Sequence, residues 1–475
     1  MGLLYFNGAI GIIYLFGMPM GANQFKSALL ERQFQRFHFI GIGGVGMRAL
    51  AKMILQLGFE VSGSDVSPCD EVTGWANRGL ITLYDNHKAK HAQGASCVIY
   101  SSAIKALNPE YQFARNQNIP VFHRSEMIAW MGEYFKVIAV SGTHGKTSTT
   151  AMVAHILRQA GLAPSYCIGA GLNGEILAEV GAGEWLVLEA DESDQSFLKY
   201  KTTIALVTNV NYDHMENYQN SKDLYEQCFS DFLNHSSHVA IFNHIVGKMP
   251  EKMTELRNLQ LIDSSNTQII NWSQNGQWLK ATCVMQGETF DINMQIAGIH
   301  MLYNAFLAIE CAVHVGITRE ESARLLAAFQ GTDRRFQIHM IHNRPVVSDY
   351  GHHPEEIKAT IHAARGVWPN KKLHLIFQAH RYSRLRYHFD AFIDVLSAVD
   401  QLVLVPVYGA GESEDMQYNI SYLMQCLDSK APIYLCSLQK IDDYLAKQGE
   451  NDVVILQGAG NIGYILERAM HASRL

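Results

Sequence analysis

An α/β protein of three successive domains built on parallel sheets is predicted by three features of the sequence. Short apolar runs alternate with amphipathic stretches along most of its 475 residues. Two glycine-rich loops each stand between an apolar run and a helical pattern. The length also exceeds what a single hydrophobic core supports. The expected division is an extension over 1–36, then domains over 37–131, 132–331 and 332–475.

In chain order, the opening "MGLLYFNGAIGIIYLFGMPMGANQF" is apolar, but glycines interrupt it and no Lys or Arg precedes it. It therefore reads neither as a signal sequence nor as a membrane span. A disordered extension is expected, with initiation at Met18 or Met20. The runs "FHFIGI", "FEVSGSD" and "CVIYSSAI" predict parallel strands joined by helices. The first two flank Gly41-x-Gly43-x-x-Gly46, and Asp65 follows about twenty residues on, which is the fingerprint of a Rossmann-like dinucleotide domain. The motif asks only for a pyrophosphate at a helix N-terminus, so NAD and a nucleoside diphosphate both satisfy it.

The second domain opens with "KVIAVSGTHGKTSTT" and continues through "EWLVLEADESD", "TTIALVTNV" and "HVAIFN". Gly142, Thr143, His144, Gly145, Lys146, Thr147 and Ser148 form a phosphate loop shortened relative to G-x-x-x-x-G-K-[ST]. Val153, Ile156, Leu157 and Ala160 then recur at helical spacing until Gly161. Strand, loop and helix in that order surround an anion with N–H groups and the positive end of a helix dipole. Lys146 can reach the terminal phosphates, and the Thr147 hydroxyl can ligate Mg²⁺. Glu189 and His214 stand at the carboxyl ends of the next two strands, where an open parallel sheet lines its ligand crevice. They are candidates to complete the Mg²⁺ shell. The polar stretch from about Pro250 to Asn293 alternates weakly and reads as a β-rich appendage. "KKLHLIFQAH", "DQLVLVPVY" and "DVVILQGAG" predict a second Rossmann-like sheet in the third domain.

Composition narrows the function. A net charge of −7 gives no basic field for nucleic acid, so small molecules are the expected partners. Eight scattered cysteines without a C-x-x-C pair read as reduced thiols of a cytoplasmic protein.

"GTHGKT", "EADESD", "NVNYDHMENY", "GIHMLYNAFLA", "DRRF" and "SDYGHHP", spread from residue 37 to about 463, resemble the Mur ligases of peptidoglycan synthesis, which form amides at the expense of ATP. The resemblance implies a UDP-sugar domain, a central ATPase-like domain and an amino-acid domain, in that order. Gly43, Gly44, Val45, Asp65, His87, Ser101 and Ser102 then match the UDP-sugar site, and the first loop holds UDP in place of NAD. Lys146, Thr147, Glu189 and His214 match the phosphate and Mg²⁺ positions. His300 and Asn304 match the adenine and ribose site, and Arg335 the arginine that approaches ATP from the third domain. Asp349, Tyr350, His353, His380, Arg381 and Arg384 match the closing face and amino-acid pocket. "DYGHHP" and "FQAHRYSRLR" resemble the branch that joins L-alanine to UDP-N-acetylmuramate. A recycling branch that attaches a peptide to the same sugar shares the first loop. A monomer or dimer without membrane insertion is expected.

Asn211, Glu216, Met301 and Ser348 depart from the family pattern, and "VYGAGESEDMQYN" lacks its usual small-residue continuation after Glu412. A hydrogen bond lost at Met301 costs about 1 kcal/mol. The expected route is phosphorylation of the sugar's carboxylate by ATP and attack of the alanine amine on the acyl phosphate. Asp349 or His353 is expected to position or deprotonate the alanine ammonium, and Arg381 or Arg384 to pair its carboxylate. A dehydrogenase and a catalytically weak nucleotide-binding relative are the competing readings.

Overall fold

The computed structural model describes residues 20–172, 174–243, 250, 253, 256, 258–427, 432–463 and 465–466. They fall into two compact units. One comprises the residues up to Val137 with Gly161–Cys167 and Ala178–Leu186; the other comprises Ile138–Ala160, Ile168–Leu177 and the chain from Val187 onward. The second and third predicted blocks thus pack together as one unit.

The first unit is built on five parallel strands in the order Thr82–Tyr84, Glu60–Ser64, Arg36–Ile40, Cys97–Tyr100, Val121–His123. The central strand buries Phe37, His38, Phe39 and Ile40, as a strand covered on both faces must. The glycine loop leaves this strand and feeds the helix Val45–Gln56, whose inner face carries Met47, Leu50, Ala51 and Ile54 at i, i+3, i+4 and i+7.

Residues 20–36 depart from the expected disordered extension. Met20–Glu31 is a helix that buries Ala22, Phe25 and Leu29. Phe25 meets Trp130 edge-on at 5.4 Å, and Phe34 packs edge-on to Phe37, Phe122 and Trp130. Burying each large apolar side chain contributes about 1.5–3 kcal/mol, which offsets the entropy of ordering the segment. The expectation weighed the apolar opening and overlooked the 22, 25, 29 spacing beyond it. Residues 1–19 lie outside the described residues.

A seven-stranded sheet has the order Leu259–Ile262, Ser236–Asn243, Thr202–Val207, Lys136–Ser141, Trp185–Glu189, Ser165–Leu172, Glu175–Glu179. The helix after the phosphate loop, Lys146–Gln159, fully buries Met152, Val153, Ile156 and Leu157 and packs on the helix His300–His314. Thr267–Asn275, Trp278–Met285 and Glu288–Gln295 form an antiparallel meander. The last sheet has six strands: Gln337–Ile341, Arg344–Asp349, Asp452–Gln457, Lys372–His380, Gln401–Tyr408 and Ile433–Leu435. Its first two strands are antiparallel, while Lys372–His380, Gln401–Tyr408 and Asp452–Gln457, the three strands expected from the sequence, pair in parallel. His342 and Asn343 between them have φ of 49° and 61°, the left-handed pair of a two-residue hairpin turn.

Candidate active site

The phosphate loop is held open by the strand end beside it. Thr143 N–H donates to the Asn209 carbonyl (3.1 Å) and its hydroxyl to the Asn211 carbonyl (2.7 Å). His144 N–H donates to Asn209 Oδ1, and Asn209 Nδ2 returns a bond to the His144 carbonyl. Gly145 has φ of 83°, and a Cβ there would lie 2.6 Å from Asn304 Oδ1, so only glycine fits between loop and helix. Thr147 and Ser148 are buried in the first turn of the helix.

The loop's charge is already answered from within the protein. Lys146 Nζ donates to the Gly142 carbonyl (2.6 Å) and the Thr143 carbonyl (3.2 Å) and lies 2.7 Å from Glu192 Oε2. Burial works against the ammonium, but Glu192, Asp191 and Glu189 outweigh it and raise its pKa. Burial pushes the Glu192 carboxyl upward, and the ammonium pulls it back. Thr147 Oγ1 donates to Glu189 Oε1 (2.9 Å), whose other oxygen accepts from Gly169 N–H. A hydroxyl and a carboxylate side by side are the oxygen donors a hard cation takes. Among the described residues no group of three or more His, Cys, Asp and Glu side chains converges tightly enough to hold a metal alone. A cation here would draw its remaining ligands from phosphate and water.

His214 is placed elsewhere. Its Nδ1 is 3.3 Å from Arg381 Nη1 and its Nε2 is 3.2 Å from Arg384 Nη2. Both arginines are committed to acids. Arg381 donates to Glu216 and Glu412 (each 2.7 Å), and Arg384 donates to Asp213 (3.1 Å). Burial disfavours charge on Asp213, but Arg384 and His214 outweigh it and hold the carboxyl far below the usual range. Glu216, one of the departures, thereby has a partner. Asn211 serves through its main chain: its carbonyl accepts from Thr143 and Tyr225, and its N–H donates to Thr143. Met301 Sδ lies 3.6 Å from Asn304 Nδ2, and Ser348 is buried in its strand.

His144, Arg335 and His352 gather around Glu356. His144 Nδ1 lies 3.1 Å from Glu356 Oε1, Arg335 Nη1 lies 4.0 Å from the same oxygen, and His352 Nδ1 is 3.8 Å from Oε2. Arg335 also sits over the Tyr350 ring at 5.3 Å. His353 caps the helix Pro354–Val367 by accepting the Glu355 N–H at Nδ1, while Glu356 bonds back to the His353 N–H. An imidazole accepting at Nδ1 carries its proton at Nε2, so neutral His353 is a donor there and not the base expected. Burial, with His144 and His388 adding to it, pulls its pKa down to about 3. Burial pulls His300 and His380 down to about 4, helped respectively by Arg335 and Arg384. Asp349 is engaged on both carboxylate oxygens. Its oxygens accept from Phe336 N–H (2.8 Å), Gly351 N–H (2.7 Å) and Gln457 Nε2 (2.9 Å), and burial raises its pKa. It holds the turn that carries Tyr350.

In the first unit, Gly41 and Ile42 donate to the Ser64 carbonyl, and Gly43 N–H donates to Asp65 Oδ2 at 2.8 Å. A Cβ on Gly43 would meet that oxygen at 2.8 Å. Gly44 caps the helix that starts at Val45. Ser102 Oγ is 3.1 Å from His123 Nε2, and His87 lies against Ser64. Ser101 follows the strand Cys97–Tyr100.

Sequence reasoning missed Glu192, Asp213, Glu356 and Glu412. Glu192 stands inside the quoted "EADESD", where only the first acid was weighed. Glu356 is three residues beyond the His353 cap and one helical turn from His352, a spacing that could have been read.

Three family models match in succession: "Mur ligase family, catalytic domain" over 36–136, "Mur ligase middle domain" over 140–312 and "Mur ligase, glutamate ligase domain" over 334–460. The UDP-N-acetylmuramate–L-alanine ligase of Xylella fastidiosa strain M23 is 37% identical over 471 residues, 93% of this chain and 96% of that protein. The ligase of the same name from Aquifex aeolicus is 37% identical over 450 residues, 91% and 97% of the two chains. The solved UDP-N-acetylmuramate–alanine ligase of Thermotoga maritima superposes with a TM-score of 0.80 at 27% identity, covering 92% of this chain and 99% of the other. With the three family models matched in order along the chain and relatives 37% identical over nine-tenths of it, the chain belongs to the Mur ligase family.

Proposed function

We propose that this chain is an ATP-dependent ligase that joins L-alanine to the lactyl carboxylate of UDP-N-acetylmuramate, releasing ADP and phosphate. Residues 37–131 take the UDP-sugar, 132–331 take ATP and 332–475 take the amino acid. The observation that carries the reading is Lys146, a buried ammonium at the head of a glycine loop, with Thr147 and Glu189 paired beside it.

The chemistry follows from charge. A carboxylate oxygen attacks the γ-phosphorus, the bond to the β–γ bridging oxygen breaks, and two anions must meet to do it. Lys146 and the loop N–H groups stabilise the charge that develops. Mg²⁺, when bound, spreads the charge of the triphosphate; Thr147 and Glu189 would hold it, and His214 could join them only on leaving Arg381 and Arg384. The alanine nitrogen then attacks the acyl carbon, the bond to the phosphoryl oxygen breaks, and phosphate leaves. His144, Asn304, His300 and Arg335 surround the nucleotide in this reading. Arg381 and Arg384 hold the amino acid by exchanging an acid of the protein for the carboxylate of alanine. His353 donates from Nε2 and positions, leaving the ammonium proton to solvent or another base.

The chain is expected to work in the cytoplasm, where its nucleotide substrates are, as a monomer or dimer. No helix among the described residues is long and apolar enough to cross a membrane. Phosphate release measured with UDP-N-acetylmuramate and, in turn, L-alanine, glycine, L-serine and a tripeptide tests the proposal. Release dependent on alanine supports it. Release dependent on the peptide alone would move the chain to the recycling branch, and ATP binding without release would make it a relative that has lost the reaction.

A further inference from the structure

A buried carboxylate in the first unit has no part in the reaction as described. Glu110 lies in the helix Pro109–Asn116 with its side chain wholly buried. Four elements aim donors at it. Ser64, at the end of the strand Glu60–Ser64, donates its hydroxyl to Oε2. His87 Nδ1 lies 3.2 Å from the same oxygen, and His91 Nδ1 lies 3.1 Å from Oε1. Lys88 N–H donates to Oε1 at 3.3 Å, and His38 Nε2 from the central strand stands 3.6 Å away. His91 is fixed in turn by stacking on Tyr84, with centroids 3.9 Å apart. Four of these groups lie within hydrogen-bond distance of the carboxylate: Ser64 from the end of its strand, and His87, Lys88 and His91 from the segment that follows the strand Thr82–Tyr84.

The bonds determine which nitrogen of His87 faces outward. Ser64 spends its proton on Glu110, so the 2.9 Å contact between Ser64 Oγ and His87 Nδ1 has the imidazole as donor. Nδ1 therefore carries a proton and points inward, and Nε2 is left for the solvent side of a ring whose side chain is one-fifth exposed. Ser64 is also the residue whose carbonyl accepts from Gly41 and Ile42, and its neighbour Asp65 accepts from Gly43. One rigid assembly thus sets both the loop and the imidazole.

We propose that Glu110 is a positioning residue for the UDP-sugar: through Ser64 and His87 it fixes the tautomer and orientation in which His87 Nε2 meets the diphosphate–sugar portion of the substrate. The inference rests on the reading of the first loop as the UDP-sugar site. It assigns Glu110 no contact with substrate. Its role is to convert a mobile surface imidazole into one with a single presented nitrogen, as an outer carboxylate does for a metal-bound histidine.

The test is a double-mutant cycle on the full-length protein, read as Michaelis constants for UDP-N-acetylmuramate, ATP and L-alanine. Glu110→Gln is expected to raise the constant for the UDP-sugar about tenfold, with kcat and the other two constants within twofold. His87→Ala is expected to raise it by a similar factor, and the double variant no further than His87→Ala alone. Additive effects, or losses spread over all three substrates, would overturn the positioning role and leave Glu110 a purely structural acid. An unchanged constant in His87→Ala would instead overturn the underlying placement of the UDP-sugar. Should Glu110→Gln not fold, Ser64→Ala cuts the same bridge from the other side, and the same non-additivity with His87→Ala is required.

Discussion

The two glycine loops share one design, strand to loop to helix N-terminus, and differ in what answers their positive ends. The first loop is clasped by Asp65, a partly buried carboxylate that accepts main-chain N–H bonds from Gly43 and Ser67. The second contains Lys146, buried and already paired with Glu192. A helix N-terminus binds an anion in either case. Only the second adds a desolvated charge that can be transferred from a protein carboxylate to a reacting phosphate. On the proposed function, the backbone motif would select phosphate, and the buried charge beside it would decide whether that phosphate is held or cleaved.

Matched acid-to-amide changes at the two loops should separate these roles. Glu192→Gln leaves the Lys146 ammonium buried without its anion and should cost about 3–5 kcal/mol of stability. Saturating ATP should restore much of the lost melting temperature, since the triphosphate replaces the missing carboxylate. Asp65→Asn removes only an acceptor for main-chain N–H groups and should cost about 1 kcal/mol. Equal losses measured by thermal unfolding would erase the distinction drawn here.

Lys146→Ala should lower kcat for phosphate release by about 10²–10³-fold, the usual effect of removing a donor aimed at developing charge. UDP-sugar binding measured by calorimetry should be unchanged. Arg381→Ala should raise the Michaelis constant for alanine about tenfold while that for ATP stays within twofold. A change confined to ATP would reassign Arg381 to holding the loop at Glu216.

The smallest expected effect is on pH dependence. His300, His353 and His380 have pKa values pulled to about 4, 3 and 4 from an ordinary 6.5, so the folded state holds them neutral. For a group whose folded pKa is depressed, the unfolded chain binds more protons between the two values, and stability rises with pH across that window. The melting temperature should therefore be flat above about pH 6.5 and fall by several degrees as pH drops towards 4. A melting temperature that rises on acidification would contradict these environments.

Much of this could be read from the chain because it depends on short-range pattern. The helix after Lys146 announced itself through Val153, Ile156 and Leu157, and Thr147 with Glu189 followed from strand-end geometry. The partners of His214 could not be read. They depend on Arg381 and Arg384 reaching back across more than 160 residues to Asp213 and Glu216, a pairing set by packing of separate sheets and not by local spacing. The same holds for Asp349, whose three N–H donors in the fold could not be read from "SDYGHHP". At Met20–Glu31 the local signal was present in the spacing of Ala22, Phe25 and Leu29, and the apolar run before it drew the reading away.

If the Lys146 loop drives transfer of the γ-phosphoryl group to a carboxylate, one carboxylate oxygen must leave with phosphate. UDP-N-acetylmuramate labelled with ¹⁸O in its lactyl carboxylate, turned over with ATP and L-alanine, tests this by mass spectrometry of the released phosphate. The account predicts one ¹⁸O in each phosphate formed. Unlabelled phosphate, with one labelled oxygen kept in the amide and the other lost to water, would contradict it.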